Sequence, residues 1–309
     1  MALLIKPGRD AAKNWMRAIG AEFPDLDMRE WPDAGNREEV RYIIANQLPP
    51  GEFATFPNLR FVASTSAGVD RLLDDPDFPV DVPIIRSINT QRMATMCAWV
   101  CYHVIRHHRL FDQYRENQAA KVWKPLRYPM PDQVGLGVMG LGSLGGTAAR
   151  TLKGFMFDVA GWSRTPKTMD GITTFAGPEE FQAFLERSKI LVSILPGTPE
   201  TESLLNRETL SHLPEGAYVI NCGRGNLIDD DALIDAMDSG HIAGAALDVF
   251  RTEPLPDDHP YWTHPKVTLT PHYSSNGQAR FGAGVIIANI RRDRAGEPFQ
   301  DVVDKTLGY

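Results

Sequence analysis

Cysteine is scarce in this chain: Cys97, Cys101 and Cys222 are the only ones in 309 residues. Three irregularly spaced thiols exclude a disulfide framework, and Cys97 and Cys101, four apart in a helical pattern, read as packing rather than as metal ligands. No metal site is expected. Long apolar runs are missing too. Ala2-Leu3-Leu4-Ile5 meets Lys6-Pro7-Gly8-Arg9-Asp10 too soon for a secretory signal, and no stretch approaches the roughly 18 apolar residues of a membrane span. Positive charge is in deficit, with 32 Lys and Arg against 39 Asp and Glu for a formal charge of -7, which argues against a general nucleic-acid binder. Internal repeats and low-complexity tracts are absent as well. These absences point to a reducing cytoplasm, no membrane, and anionic ligands held by local donors.

What is present is the composition of a globular protein, 43% hydrophobic and 23% charged, long enough for about two domains. Short β-like runs alternate with helical patterns throughout, the signature of parallel sheets covered by helices. Strands of a first sheet are predicted at Leu3 to Ile5, Leu26 to Arg29, Tyr42 to Ala45, Arg60 to Ala63 and Pro83 to Arg86. A second set covers Leu136 to Met139, Val159 to Trp162, Ile190 to Ile194, Ala217 to Asn221, Gly244 to Val249 and Val267 to Thr270, six strands in all. Between the sets, Met93 to Gln118 reads as one long helix. It is apolar on nearly every side, at Met93, Met96, Trp99, Val100, Val104, Ile105, Leu110 and Phe111, which suggests a hinge that also meets a partner subunit in a homodimer. Arg280 to Arg294 is a helix closed by Gly296 that returns to the first domain. The fold class is therefore α/β, two doubly wound parallel-sheet domains comprising residues 1–98 with 277–309 and residues 99–276.

The most informative stretch is Gly140-Leu141-Gly142-Ser143-Leu144-Gly145, which follows the apolar run Leu136 to Met139 and opens a helical segment. Strand, glycine turn and helix in that order make a dinucleotide-phosphate cradle: Gly140 permits the turn, Gly142 lets backbone approach a pyrophosphate, and Gly145 lets helix and strand pack closely. The next strand ends in Ser163-Arg164-Thr165-Pro166-Lys167. An NAD enzyme usually carries Asp or Glu there, about 20 residues past the glycines. A guanidinium and an ammonium stand instead, which favours NADP.

Chemistry belongs where strands end, because open α/β sheets bind ligands at the carboxyl ends of their strands. Arg224 follows one strand in Asn221-Cys222-Gly223-Arg224-Gly225, Glu253 follows another in Asp248-Val249-Phe250-Arg251-Thr252-Glu253-Pro254, and His272 follows a third in Thr270-Pro271-His272. Together with Ser66-Ala67-Gly68-Val69-Asp70, Leu195-Pro196, Leu247-Asp248-Val249-Phe250 and Glu253-Pro254-Leu255-Pro256, these phrases make the chain resemble the D-2-hydroxyacid dehydrogenase family over its whole length. Within it, Gly161-Trp162-Ser163-Arg164, Val122-Trp123-Lys124-Pro125 and Val303-Asp304-Lys305 with Gly308-Tyr309 are similar to the NADPH-linked glyoxylate/hydroxypyruvate reductase A group.

That resemblance implies a flavodoxin-like substrate domain, a Rossmann NADP-binding domain, and a site for a small 2-keto acid between them. It implies His272 as proton donor, Glu253 as its partner, Arg224 as the grip on the substrate carboxylate, and Ala67 and Gly68 as backbone donors to the same group. Asp248 is expected to accept from the nicotinamide amide. Ser143, Leu144, Ser163, Thr165, Leu195, Pro196 and Cys222 complete the expected cofactor contacts, Asn46 is expected to line the substrate pocket, and Asn46, Gln47 and Ser274 are the side chains expected to bond a terminal hydroxyl. Three departures from the family pattern stand out. Met96-Cys97-Ala98-Trp99 lacks a common glutamate, Asn46-Gln47-Leu48-Pro49-Pro50 lacks an aromatic residue, and Tyr273-Ser274-Ser275 is unusually polar. Two alternatives remain open at this level: an NAD-preferring enzyme of another 2-keto acid such as phenylpyruvate, and a dinucleotide-sensing corepressor on the same fold.

Overall fold

Alternation of inward side chains builds the first sheet. In β1 (Ala2–Ile5), Ala2 and Leu4 enter one core with Ile43, Val62 and Ile84, while Leu3 and Ile5 enter the opposite one with Tyr42, Ile44, Phe61 and Ile85. Both faces are covered, as parallel strands require. The other strands are β2 (Asp27–Glu30), β3 (Val40–Ile44), β4 (Phe61–Ser64) and β5 (Ile84–Arg86), with α1 (Ala12–Gly20) and α2 (Asp70–Leu73) as early helices. Every pairing is parallel and the order is β2-β1-β3-β4-β5, the flavodoxin-like arrangement. This computed structural model describes residues 1–6, 8, 11–66, 68–87, 89–275 and 278–306. The chain forms two compact units, Met1–Arg92 with Asn276–Tyr309, and Met93–Ser275.

The second unit begins in α3 (Thr90–His108) and α4 (Phe111–Ala119) and continues through β6 (Gly135–Met139), α5 (Ser143–Gly154), β7 (Asp158–Ser163), β8 (Thr173–Ala176) and α6 (Phe181–Glu186). It proceeds through β9 (Ile190–Ser193), α7 (Arg207–Ser211), β10 (Ala217–Asn221), α8 (Asp230–Asp238), β11 (Ile242–Leu247) and β12 (Val267–Leu269). Its order is β12-β11-β10-β9-β6-β7-β8, all parallel. The direction of winding reverses between β6 and β9, so the turns after those two strands flank a switch point. The chain then re-enters the first unit as α9 (Ala279–Ala295), ended by Gly296 at φ +69°. A Cβ on Gly282 would lie 2.7 Å from Trp15, so the bare backbone is what lets α9 seat on α1.

Three features differ from the pattern-based expectation. A seventh strand, β8, adds to the edge beside β7; its sequence Thr-Thr-Phe-Ala is too short and polar to show periodicity. The long helix breaks at Leu110, whose left-handed backbone (φ +57°) cannot continue a helix, and α4 buries none of its residues. The units divide at Arg92/Met93 and Ser275/Asn276 rather than at 98/99 and 276/277. Met96, Val100, Cys101 and Val104 of α3 explain the shift, because they pack on Leu136, Val159 and Ile220 of the second sheet. Among the described residues no helix is long and apolar enough to cross a membrane.

Candidate active site

The glycine turn follows β6 directly. Gly140 sits at φ +95° and a Cβ there would lie 2.7 Å from the Ile194 carbonyl, so both conformation and space demand glycine. A Cβ on Gly145 would lie 1.7 Å from the Gly140 carbonyl, which fixes the first turn of α5 against the loop. Gly142 is different: a Cβ there would meet nothing within 4 Å, and this exposed residue precedes α5 with no capping side chain. The N–H groups that open α5, from Ser143 and Leu144 onward, are the donors an anion would use. This cradle, with room over Gly142 and no capping side chain, fits a dinucleotide pyrophosphate.

At the end of β7, Arg164 and Lys167 stand on the turn that follows the strand. Lys167 donates its ammonium to the Leu141 carbonyl at 2.8 Å, inside the glycine turn itself. Ser163 is buried and its hydroxyl donates to the Thr165 carbonyl at 2.8 Å, which folds the chain so that Arg164 is exposed. Glu200, after β9, was not foreseen. Its carboxyl is held below the ordinary range first by the Thr198 hydroxyl and also by the Arg164 charge.

Past β9, Leu195 is buried and the Pro196 carbonyl accepts from Thr201 at 2.8 Å. A Cβ on Gly223 would lie 2.6 Å from the Leu195 carbonyl, so the turn after β10 lies flat on this loop. Cys222 is fully buried, its thiol 3.7 Å from the Ser193 carbonyl, and burial pushes it well above the ordinary thiol range with the Asp248 charge adding. Its side chain is a packing group. Buried Asn221, another residue not singled out by pattern, clamps the turn: its Oδ1 accepts from Gly223 N at 3.1 Å and its Nδ2 donates to the Arg224 carbonyl at 2.9 Å. The signal available was a polar residue closing an otherwise apolar strand. Gly225 completes the fit, since a Cβ there would lie 1.9 Å from the Phe250 carbonyl carbon. The Arg224 turn is thus pressed against the segment leading to Glu253. The Arg224 Nη1 donates to the Gly223 carbonyl at 2.7 Å.

Glu253 and His272 meet as the sequence suggested. His272 Nδ1 lies 2.8 Å from Glu253 Oε2 and 3.1 Å from Oε1, and Oε1 also accepts from Phe250 N at 3.2 Å. One carboxylate therefore fixes the ring and leaves Nε2 as the other face of the imidazole. His272 adopts a left-handed backbone, φ +53°. Asp248 supports it: fully buried, the carboxylate accepts from the Thr270 hydroxyl, from Tyr273 N at 2.7 Å and from Ser274 N at 2.8 Å. Oδ1 takes two of these donors and Oδ2 one, so Asp248 anchors the histidine loop and Oδ2 keeps further acceptor capacity.

The remaining expected residues belong to the first unit. Ala67 lies outside the described residues; Gly68 is half-buried and its carbonyl accepts from Ser64 at 3.3 Å. Asn46 is tied into the loop after β4 through its amide oxygen and one of its two amide N–H groups. Its Oδ1 accepts from Thr65 N and Thr65 Oγ1, each at 2.8 Å, and its Nδ2 donates to Ser66 Oγ at 2.8 Å. Short loops leave backbone donors needing partners, and this amide supplies them.

Residues 101–274 match the NAD binding domain of the D-isomer specific 2-hydroxyacid dehydrogenases. The chain is similar to the glyoxylate/hydroxypyruvate reductase A of Yersinia enterocolitica, 37% identical over 303 residues covering 96% of each chain. It is similar in structure to a D-isomer specific 2-hydroxyacid dehydrogenase of Xanthobacter autotrophicus in complex with NADPH and MES, with TM-score 0.95, 43% identity and coverage of 100% of this chain and 99% of that one. The NADPH-dependent glyoxylate/hydroxypyruvate reductase of Sinorhizobium meliloti, in complex with NADP and sulfate, is also similar, with TM-score 0.93, 31% identity and full coverage of both chains. Glycine cradle, parallel order and histidine–glutamate pair accord with these matches: the chain belongs to the D-isomer specific 2-hydroxyacid dehydrogenase family.

Proposed function

We propose that this protein reduces small 2-keto acids, glyoxylate and hydroxypyruvate foremost, to the 2-hydroxy acids with NADPH. The observation that carries the reading is the His272–Glu253 pair at 2.8 Å, set beside the Arg224 turn in the unit that also holds the glycine cradle. The Yersinia and Sinorhizobium relatives, named for glyoxylate and hydroxypyruvate, support the substrate class, and the NADPH and NADP held by the Xanthobacter and Sinorhizobium proteins support the cofactor. When bound, the dinucleotide supplies the hydride. Arg224 holds the substrate carboxylate with its planar fork, and the family resemblance assigns backbone donors of the loop after β4, Ala67 and Gly68, to a carboxylate as well. His272 gives a proton from Nε2 to the oxygen on which charge develops, while Glu253 stabilises the imidazolium and keeps the ring in line. Gly142 and the opening of α5 hold the pyrophosphate; Arg164 and Lys167 hold the ribose phosphate. Asp248 keeps the histidine loop in place.

We further infer a homodimer in a reducing cytoplasm. All three thiols are free and buried, and Trp123 is fully exposed, in one unit with exposed Tyr102, Phe111, Val122 and Met130. The functional reading is tested by following NADPH and NADH oxidation with glyoxylate, hydroxypyruvate, pyruvate and phenylpyruvate. We expect higher kcat/KM with NADPH than with NADH, and the two small hydroxylated or aldehydic acids to lead. Phenylpyruvate leading by about tenfold would overturn the small-substrate reading. Equal efficiency with both cofactors would overturn the assignment of Arg164 and Lys167.

A further inference from the structure

We propose that Arg92 is a positioning residue that raises the affinity of the loop after β4 for the substrate carboxylate, an inference that rests on the function proposed above. Arg92 opens α3, where Asn89 Oδ1 caps its N–H at 3.0 Å, and its side chain turns back into the first unit with the residue only 7% exposed. A buried guanidinium is costly unless hydrogen bonds hold it. Here Nη2 donates to the Thr65 carbonyl.

That contact feeds a directional chain of hydrogen bonds. The peptide whose carbonyl Arg92 grips continues as Ser66 N–H, which donates to Ser64 Oγ at 3.1 Å. The single proton of the Ser64 hydroxyl has three acceptors in reach, the Ser66 carbonyl at 3.1 Å, Asn46 Oδ1 at 3.2 Å and the Gly68 carbonyl at 3.3 Å, two of them in the same loop. Asn46 locks the outer side through Thr65 and Ser66. Each link polarises the next in a low-dielectric setting, and the chain starts from a full positive charge. A neutral amide could brace the Thr65 carbonyl equally well. A cation adds something more: stronger N–H donors and a favourable potential on a loop assigned to an anionic group.

The role separates from mere bracing by which constant it moves. Arg92→Gln should raise KM for glyoxylate and weaken oxalate binding by about tenfold, the scale of one charge-assisted hydrogen bond, with kcat, KM for NADPH and Tm little changed. Arg92→Lys, which keeps the charge but not the fork, should fall between, about threefold from the unmodified protein. Unchanged oxalate affinity in Arg92→Gln would overturn the proposal. So would parallel losses of kcat, NADPH affinity and Tm, which indicate bracing alone. If Arg92→Gln does not fold, Arg92→Lys decides: weaker oxalate binding at unchanged NADPH affinity supports the role, and no change overturns it. Oxalate binding is read by calorimetry without turnover. Weakened binding in a chain that reduces no keto acid would therefore uphold Arg92 and overturn the functional reading instead.

Discussion

His272 occupies a backbone region that costs a non-glycine residue roughly 1–3 kcal/mol, and its surroundings over-determine it. The Glu253 carboxylate holds the ring at 2.8 Å, while Asp248 accepts the N–H groups of the next two residues. We expect His272→Gln to keep NADPH affinity, read by fluorescence titration, and to lose about 10²–10⁴ in kcat, the usual worth of general acid–base catalysis. Turnover at the unmodified rate would refute its role as acid. At this scale the sequence announced chemical identities but not partners. Arg224, Glu253 and His272 could be placed after strands by counting, whereas the protein partners of Asp248, Asn46 and Cys222 became known only from the structure. A carboxylate or amide is assigned by what lies within 3 Å of it, and only folding decides that.

The glycine turn makes a sharp comparison at the level of elements. Gly142→Ala adds a methyl group with nothing within 4 Å, so stability should hold while NADPH binding weakens, because the added carbon occupies the approach to the pyrophosphate. Gly145→Ala drives a methyl group to 1.7 Å from a backbone carbonyl, and should lower stability by about 1–3 kcal/mol as well as weaken binding. Thermal melts with and without NADPH separate the two, and equal stability loss in both variants would contradict the packing. The other element with a readable consequence is α3. Burial lowers His103 and His107 from 6.5 to about 4, nearby Arg106 and Lys189 adding to the effect, and His107 stacks on Tyr218 at 4.1 Å. Both rings are neutral when folded and take up protons more readily when unfolded. Their contribution is therefore full above pH 6.5 and is lost as pH falls toward about 4. Urea denaturation across that range should show stability rising with pH, and His103→Gln should flatten part of the rise. A pH-independent midpoint would contradict neutral burial.

For the whole molecule, the fully exposed Trp123 and the other exposed apolar residues of its unit carry the expectation of a dimer. Sedimentation at micromolar concentration should give about twice the chain mass, and Trp123→Ser should shift the balance toward monomer. A single-chain mass for the unmodified protein at all concentrations would dispose of the homodimer. The long helix first suggested this interface through its apolar positions. The structure moves the argument, because α3 buries Met96, Val100 and Val104 in its own unit and leaves exposed aromatics further along the chain.

Local periodicity and glycine placement were sufficient for the two parallel sheets, the cradle and the strand-end residues, because period-two apolar runs and positive-φ turns are properties of short segments. They missed β8, an edge strand with little to bury, and the break at Leu110, where a left-handed non-glycine residue leaves no compositional mark. Tertiary structure alone decided that Asp248 and Asn46 secure loops and that Arg92 reaches Thr65. Each of these is a hydrogen bond between residues whose side chains are drawn together by burial of the sheets. Such contacts depend on where the strands end in space, which no local pattern encodes.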